Sequence, residues 1–165
     1  MGIKEINIVK KIIEKKSRRS SKYFYPLLEN ALSTEDLMSG IKVIVSGQLT
    51  MSRKTKKFEK NFAKKMGSKY ALMVNSGSSA NLLAAFAACN PMRNNRFKVG
   101  DEVLIPSVCW PTSLWPLVQA GLKPVFVDVD RDSLNVNSKL LIKKITKRTK
   151  VIMLVHVLGN STEVD

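Results

Sequence analysis

Asn75-Ser76-Gly77-Ser78-Ser79-Ala80-Asn81 is the stretch on which the reading of this chain turns. Before it stands Tyr70-Ala71-Leu72-Met73-Val74, a short apolar run with strand character. After it stands Leu82 to Cys89, apolar and rich in alanine, which reads as a buried helix. A strand, a tight turn of small residues and a helix start leave unpaired backbone N–H groups pointing outward, and the helix dipole adds partial positive charge. Such a place suits an anion. Gly77 brings backbone freedom, while Ser78 and Ser79 bring hydroxyl donors on side chains small enough to let a phosphate approach the main chain. The same residues fit a plain serine-capped helix, because Ser and Asn are favoured caps, and the chemistry alone leaves both readings open. The sequence here is neither a Gly-Lys-Ser/Thr phosphate loop nor a GxGxxG dinucleotide turn.

Downstream of this turn the pattern alternates. Glu102–Pro106, Pro124–Val127 and Val151–Val155 read as strands, and Trp110–Ala120 and Ser138–Ile145 as helices. Residues 90–100 form a polar excursion. Pro111 falls in a first helical turn, where its missing N–H costs little, and Gly121 ends that helix. Apolar strands alternating with helices predict an α/β fold with a mostly parallel sheet and flanking helices. Ligands of such sheets sit beyond the carboxyl ends of strands, and both Asn75–Ser79 and Ser107–Thr112 fall there. Trp110 follows a strand end directly; its indole offers either a flat face for a planar ligand or ordinary core packing.

Upstream, three helices precede the sheet. Ile3–Arg19 carries Ile6, Val9 and Ile13 at helical spacing, with a basic polar face. Packing on its own domain is the reading kept for it, with a membrane-surface role as the alternative. Residues 20–30 are expected as a loop containing Pro26. The second helix opens at Ser33-Thr34-Glu35-Asp36, has Leu37, Ile41, Ile44 and Val45 as its stripe, and ends at Gly47. The third runs from Arg53 to Met66, with Phe58, Phe62 and Met66 on one face and Gly67 after it. The domain organisation expected is a basic helix and loop over 1–30, followed by the first part of a larger α/β domain over 31–165. Asp165 comes just after a strand, before any helix that would cover it, which reads as an incomplete domain.

The chain has 165 residues, of which 44% are apolar, enough for a globular core. No apolar run approaches the roughly 20 residues of a membrane helix, and no signal-peptide pattern opens the chain, so a cytoplasmic location without a membrane partner is expected. The net charge is +15, gathered in Lys10–Lys22, Arg53–Lys65 and Lys143–Lys150. Aromatic residues are not interleaved with these cations, so the reading kept is a solvated lysine-rich surface rather than a nucleic-acid footprint. Cys89 and Cys109 read as free thiols, His156 is the sole histidine, and no metal site is expected. Asp128, Asp130 and Asp132 cluster after a strand, where loop hydrogen bonding and capping compete with an acid/base or metal role. His156 is either a structural or a catalytic side chain.

Several motifs in register now resemble one family. Ser46-Gly47-Gln48-Leu49-Thr50, Phe58-Glu59 and Asn75-Ser76-Gly77-Ser78-Ser79-Ala80 are similar to the DegT/DnrJ group of pyridoxal-phosphate sugar aminotransferases. So are Gly100-Asp101-Glu102-Val103 with Pro106-Ser107, Pro124 to Asp130, and His156-Val157-Leu158-Gly159. The resemblance runs from about Glu29 to Asp165. It implies part of the large domain of the type I aminotransferase fold, pyridoxal 5'-phosphate as cofactor, and homodimers. It also implies amino transfer, usually from glutamate, to a nucleotide-linked keto-sugar in surface-polysaccharide or deoxysugar biosynthesis. In that pattern Gly77, Ser78 and Ser79 would bind the cofactor phosphate and Trp110 would stack on its ring. The strings from Ser76 to Ala84 and from His156 to Asn160 are also similar to the branch containing CDP-sugar 3-dehydrases. Those use pyridoxamine 5'-phosphate, so dehydration is the alternative activity. A non-catalytic module that binds a phosphate ligand is a further one. Ser52 departs from the family, which usually has glycine there. The family's ring-nitrogen aspartate and Schiff-base lysine lie beyond the position of Asp165. The resemblance therefore implies no catalytic residue within this chain, and a chain inactive by itself.

Overall fold

Glu102, Val103, Leu104, Ile105 and Pro106 form a strand in which every residue is buried, and the rest of the sheet is arranged around it. The computed structural model describes residues 3–17, 24–25 and 31–164. In chain order the helices are α1 (Ile3–Ser17), α2 (Thr34–Val45), α3 (Arg53–Lys65), α4 (Gly77–Ala88), α5 (Pro111–Gln119) and α6 (Ser138–Lys143). The strands are β1 (Glu102–Pro106), β2 (Lys123–Val127) and β3 (Thr149–Ile152). The chain packs as two units, residues 1–73 and 74–165.

In the second unit all pairing is parallel, in the order β2-β1-β3. A central parallel strand is covered on both faces, which is why β1 is a continuous apolar run after its first residue. Side chains alternate across it. Val103 and Ile105 join Ala85 of α4, Leu117 of α5 and Leu122 on one face. Leu104 joins Val127 and Val136 on the other, with Leu141 of α6 against them. The ladder outruns the named strands: Met153 N–H donates to Leu104 O at 2.8 Å, and Ser107 N–H to Val127 O at 2.8 Å. Against β3 the register slips by one residue, Glu102 facing Thr149 and Val103 facing Val151. At that irregularity sits a buried carboxylate. Glu102 accepts from Thr146 Oγ1 at 2.7 Å and pairs with Arg148 Nη2 at 2.8 Å. The Thr146 hydroxyl, and then Arg148 and Lys123, hold its carboxyl below the usual range, against the opposing pull of burial.

In the first unit α1 packs against α2. A reciprocal capping box starts α2: Asp36 N–H donates to Ser33 Oγ at 3.1 Å, and Ser33 N–H donates to Asp36 Oδ2 at 2.9 Å. Gly47 follows the C-cap Ser46 with φ +69°, a left-handed position that glycine takes without a Cβ penalty. Ser52, where the family pattern has glycine, is the N-cap of α3 with φ −72°, so the local backbone accepts a side chain there.

Several expected features differ. Tyr70–Val74 forms no ladder among the described residues; Met73 N–H instead donates to Glu59 Oε1 at 2.9 Å. An apolar run marks a segment able to pair, and pairing also needs a neighbour. The third strand begins and ends earlier than expected, because it is set by its register against β1 rather than by its own apolar run. The helix expected to reach Ile145 is capped at Lys144, whose ammonium donates to Phe126 O at 2.6 Å. In α2 and α3 the buried residues are Met38 and Ala63, while Ile44, Val45, Phe58, Phe62 and Met66 are exposed. Phe58 and Phe62 stack on each other at 5.6 Å, one helical turn apart. The end of the first expected helix at Arg19, and the loop around Pro26, lie outside the described residues.

Two stability predictions follow from this packing. Leu104→Ala, at a fully buried site in the central strand, should lower unfolding free energy by about 2–5 kcal/mol in urea titration. Glu102 has a depressed folded-state pKa, so its contribution is present above the unfolded value of about 4.3 and is lost as pH falls through the folded value. Glu102→Gln should therefore melt below the parent at neutral pH, with the two melting curves converging as pH drops below about 4.

Candidate functional site

At the start of α4, three neighbouring serines have different jobs. Ser76 is the N-cap, in extended backbone with φ −160° and ψ 160°. Its hydroxyl accepts from Ser79 N–H at 3.2 Å and donates to Ser79 Oγ at 3.2 Å, and its carbonyl accepts from Ala80 N–H at 3.0 Å. Among the described residues that leaves the N–H groups of Gly77 and Ser78, and the Ser78 hydroxyl, without a protein partner. Capping therefore does not use up the turn: Ser76 caps through Ser79 N–H, while the Gly77 and Ser78 groups, and the proton of the Ser79 hydroxyl, remain free donors. Gly77 differs from expectation in one respect. It is the first residue of α4, outside the left-handed region, so unusual backbone freedom is not what it contributes. A Cβ built on it meets nothing within 4 Å, so what it contributes is bare backbone facing open space.

Trp110 is the N-cap of α5 and makes no side-chain cap; Pro111 behind it takes the first helical position. The indole is 72% exposed, which rules out core packing within its unit. The two helix starts are neighbours. Asn81, in the second turn of α4, donates from Nδ2 to Thr112 O at 3.2 Å, and Ala85 meets Leu117 further along in the same core. The helices therefore lie side by side with their N-termini together, adding their dipoles at one place. The sequence alone gives Asn81 no role, because an amide there looks like any second-turn polar residue until its partner is known.

The other candidates resolve into loop structure. Asp128, after β2, accepts from Ser107 Oγ at 3.3 Å, joining the ends of two strands, and from Val129 N–H at 2.9 Å. Asp130 accepts from the N–H groups of Asp132 and Ser133, both at 3.0 Å, and these bonds hold its carboxyl below the usual range. His156 is exposed, and its Nδ1 accepts from the N–H of buried Thr162 at 3.0 Å. Sequence reasoning missed Asn135. It is buried, donates to Asn160 O at 3.1 Å and accepts from Val157 N–H at 3.1 Å, tying the loop after β2 to the loop after β3. Burial pushes the thiols of Cys89 and Cys109 up, which leaves them poor nucleophiles. Among the described residues no three His, Cys, Asp or Glu side chains group around a metal position. Every described lysine is exposed. What this end of the helix pair presents is two unpartnered N–H groups, a free hydroxyl and an exposed indole.

The chain is 42% identical over 141 residues to a GDP-4-keto-6-deoxy-D-mannose 3-dehydratase of Yersinia pseudotuberculosis, covering 86% of this chain and 36% of that one. It is 32% identical over 146 residues to a UDP-4-amino-4-deoxy-L-arabinose–oxoglutarate aminotransferase of Shewanella sediminis, covering 88% and 36%. In structure it overlays the Escherichia coli GDP-4-keto-6-deoxy-D-mannose 3-dehydratase with bound hydrated pyridoxal phosphate at a TM-score of 0.72, with 41% identity over 78% of this chain and 33% of that one. The chain thus spans about a third of the length of these relatives. The fold is the α/β fold of pyridoxal-phosphate sugar enzymes, present here in part. Residues 31–165 match the family profile across their whole length, and the chain belongs to the DegT/DnrJ/EryC1/StrS aminotransferase family.

Proposed function

We propose that this chain provides the phosphate-binding and ring-stacking part of a pyridoxal-phosphate enzyme that moves an amino group from a donor such as glutamate to a nucleotide-linked keto-sugar. One observation carries the reading: Asn81 of α4 donates to Thr112 O of α5, so the free N–H groups and hydroxyl at the start of α4 lie at the same end of this helix pair as the exposed indole at the start of α5. The residues fit the group. Gly77 and Ser78 N–H with Ser78 Oγ would take the phosphate, Ser79 would add the free proton of its hydroxyl while its N–H keeps the turn in shape, and Trp110 would cover one ring face. When bound, the cofactor supplies the electron sink for chemistry at the transferred nitrogen. The residues of this chain orient it and screen it from water. A homodimer fits the exposed apolar side chains of α2, α3 and α4, and a cytoplasmic setting fits two free cysteines.

A second reading is a pyridoxamine-phosphate sugar 3-dehydratase. It is favoured by the higher identity to the dehydratase, 42% against 32% for the aminotransferase. Both readings use the same phosphate and ring contacts.

Two measurements test the shared part. In equilibrium dialysis against pyridoxal phosphate, Ser78→Ala should weaken binding about tenfold by removing a hydrogen bond to a charged group. Trp110→Ala should weaken it about tenfold by removing the ring contact. Unchanged affinity in both variants would remove the proposal. Reduction with sodium borohydride in the presence of pyridoxal phosphate should label no lysine of this chain ahead of the others, because none of the described lysines stands in the desolvated pocket that a reactive amine needs. A single preferred lysine in the peptide map would contradict the site as drawn.

A further inference from the structure

Helix α1 precedes the residues that match the family, so its outward side is not something the shared fold accounts for. The sequence leaves packing on its own domain and a membrane surface as alternatives for it, and the structure half-buries one side of the helix while exposing another. Ile6, Val9 and Ile13 are half-buried, on the side that packs against α2. Lys10 secures that side through Glu14 at 3.9 Å and Glu35 at 4.0 Å. Ile8 and Ile12 are 58% and 53% exposed, one turn apart, on a different arc of the helix. Lys4, Lys11 and Lys15 are exposed along one edge of these isoleucines and have no partner among the described residues, and a single acid, Glu5, is exposed at the other edge. The sequence continues with Arg18, Arg19 and Lys22.

We propose that this arc of α1 is a docking surface for an anionic lipid bilayer. The charge decides the occupant. An apolar ridge edged by three unpaired lysines is complementary to a surface that is apolar beneath and negative above, which is how an interfacial helix lies in a membrane. The helix lies flat rather than spanning: none of the described helices is long and apolar enough to cross a membrane. Each lysine brought to an anionic surface strengthens attachment roughly fivefold. Two part-exposed isoleucines and three lysines therefore give reversible attachment, sensitive to salt.

The test is cosedimentation of the full chain with vesicles of phosphatidylcholine alone or mixed with phosphatidylglycerol. Binding is expected only with the mixed vesicles and should fall as salt is raised. Ile8→Ser with Ile12→Ser should weaken it about tenfold, and Lys4→Glu, Lys11→Glu and Lys15→Glu together should abolish it. Lys56→Glu, Lys60→Glu and Lys64→Glu together make the same change of charge on α3 and should leave most of the binding. Equal loss in the two lysine sets would show an effect of net charge alone and overturn the proposal. So would binding to phosphatidylcholine alone, or no effect of the isoleucine changes. A change of oligomeric state in the isoleucine variant without vesicles would assign the ridge to a second copy instead. Circular dichroism checks that each variant is folded; should the serine pair lose helix signal, Ile8→Ala with Ile12→Ala replaces it.

Discussion

Burial of β1 on both faces is the constraint from which the placement of the candidate site follows. Val103 and Ile105 can leave water only if α4 and α5 lie across them, and Leu104 only if Val127, Val136 and Leu141 cover the opposite face. Parallel pairing then requires the chain to return after each strand, so the connections after β1 and β2 open on the same edge of the sheet. Ser107 and Asp128 meet at that edge, and Trp110 follows three residues after Ser107. At the other end of β1, the Glu102–Thr146–Arg148 cluster closes the sheet with a buried carboxylate whose hydrogen-bonding needs are met.

The side-by-side packing of α4 and α5 turns two ordinary helix starts into one surface. Alanines dominate the α4 side of the contact, and small residues allow close approach of the two axes. The Asn81 amide then fixes their relative height, since it must find an acceptor in its half-buried position. The phosphate-type turn and the indole share a neighbourhood because of this one side-chain bond and the core below it.

Much of this was legible in the residues. β1 was read with its observed bounds because a central strand is decided by its own hydrophobicity; α5, expected over Trp110–Ala120, is one residue shorter at each end, where those two residues are its caps. Edge features were less legible. Tyr70–Val74 has strand composition but no ladder among the described residues, and β3 took its limits from the slipped register rather than from its apolar run. In the site, the serine turn and Trp110 stood out through residue type and position. Asn81 and Asn135 did not, since the meaning of a lone amide lies in a partner 31 or 25 residues away. Nor could the sequence divide labour between Ser78 and Ser79, whose chemistry is identical and whose difference is set by which of them the cap residue engages.

That division bears on how a ligand would be received. The bonds from Ser76 to Ser79 and Ala80 hold the turn without help from any guest. The groups left facing outward are already aimed, so the freedom they would otherwise surrender on association was surrendered when the helix formed. Used as a receptor, such a turn would be preorganised: its selectivity would come from the shape and spacing of donors present beforehand, and an anion of the wrong geometry could not recruit them by remodelling the loop.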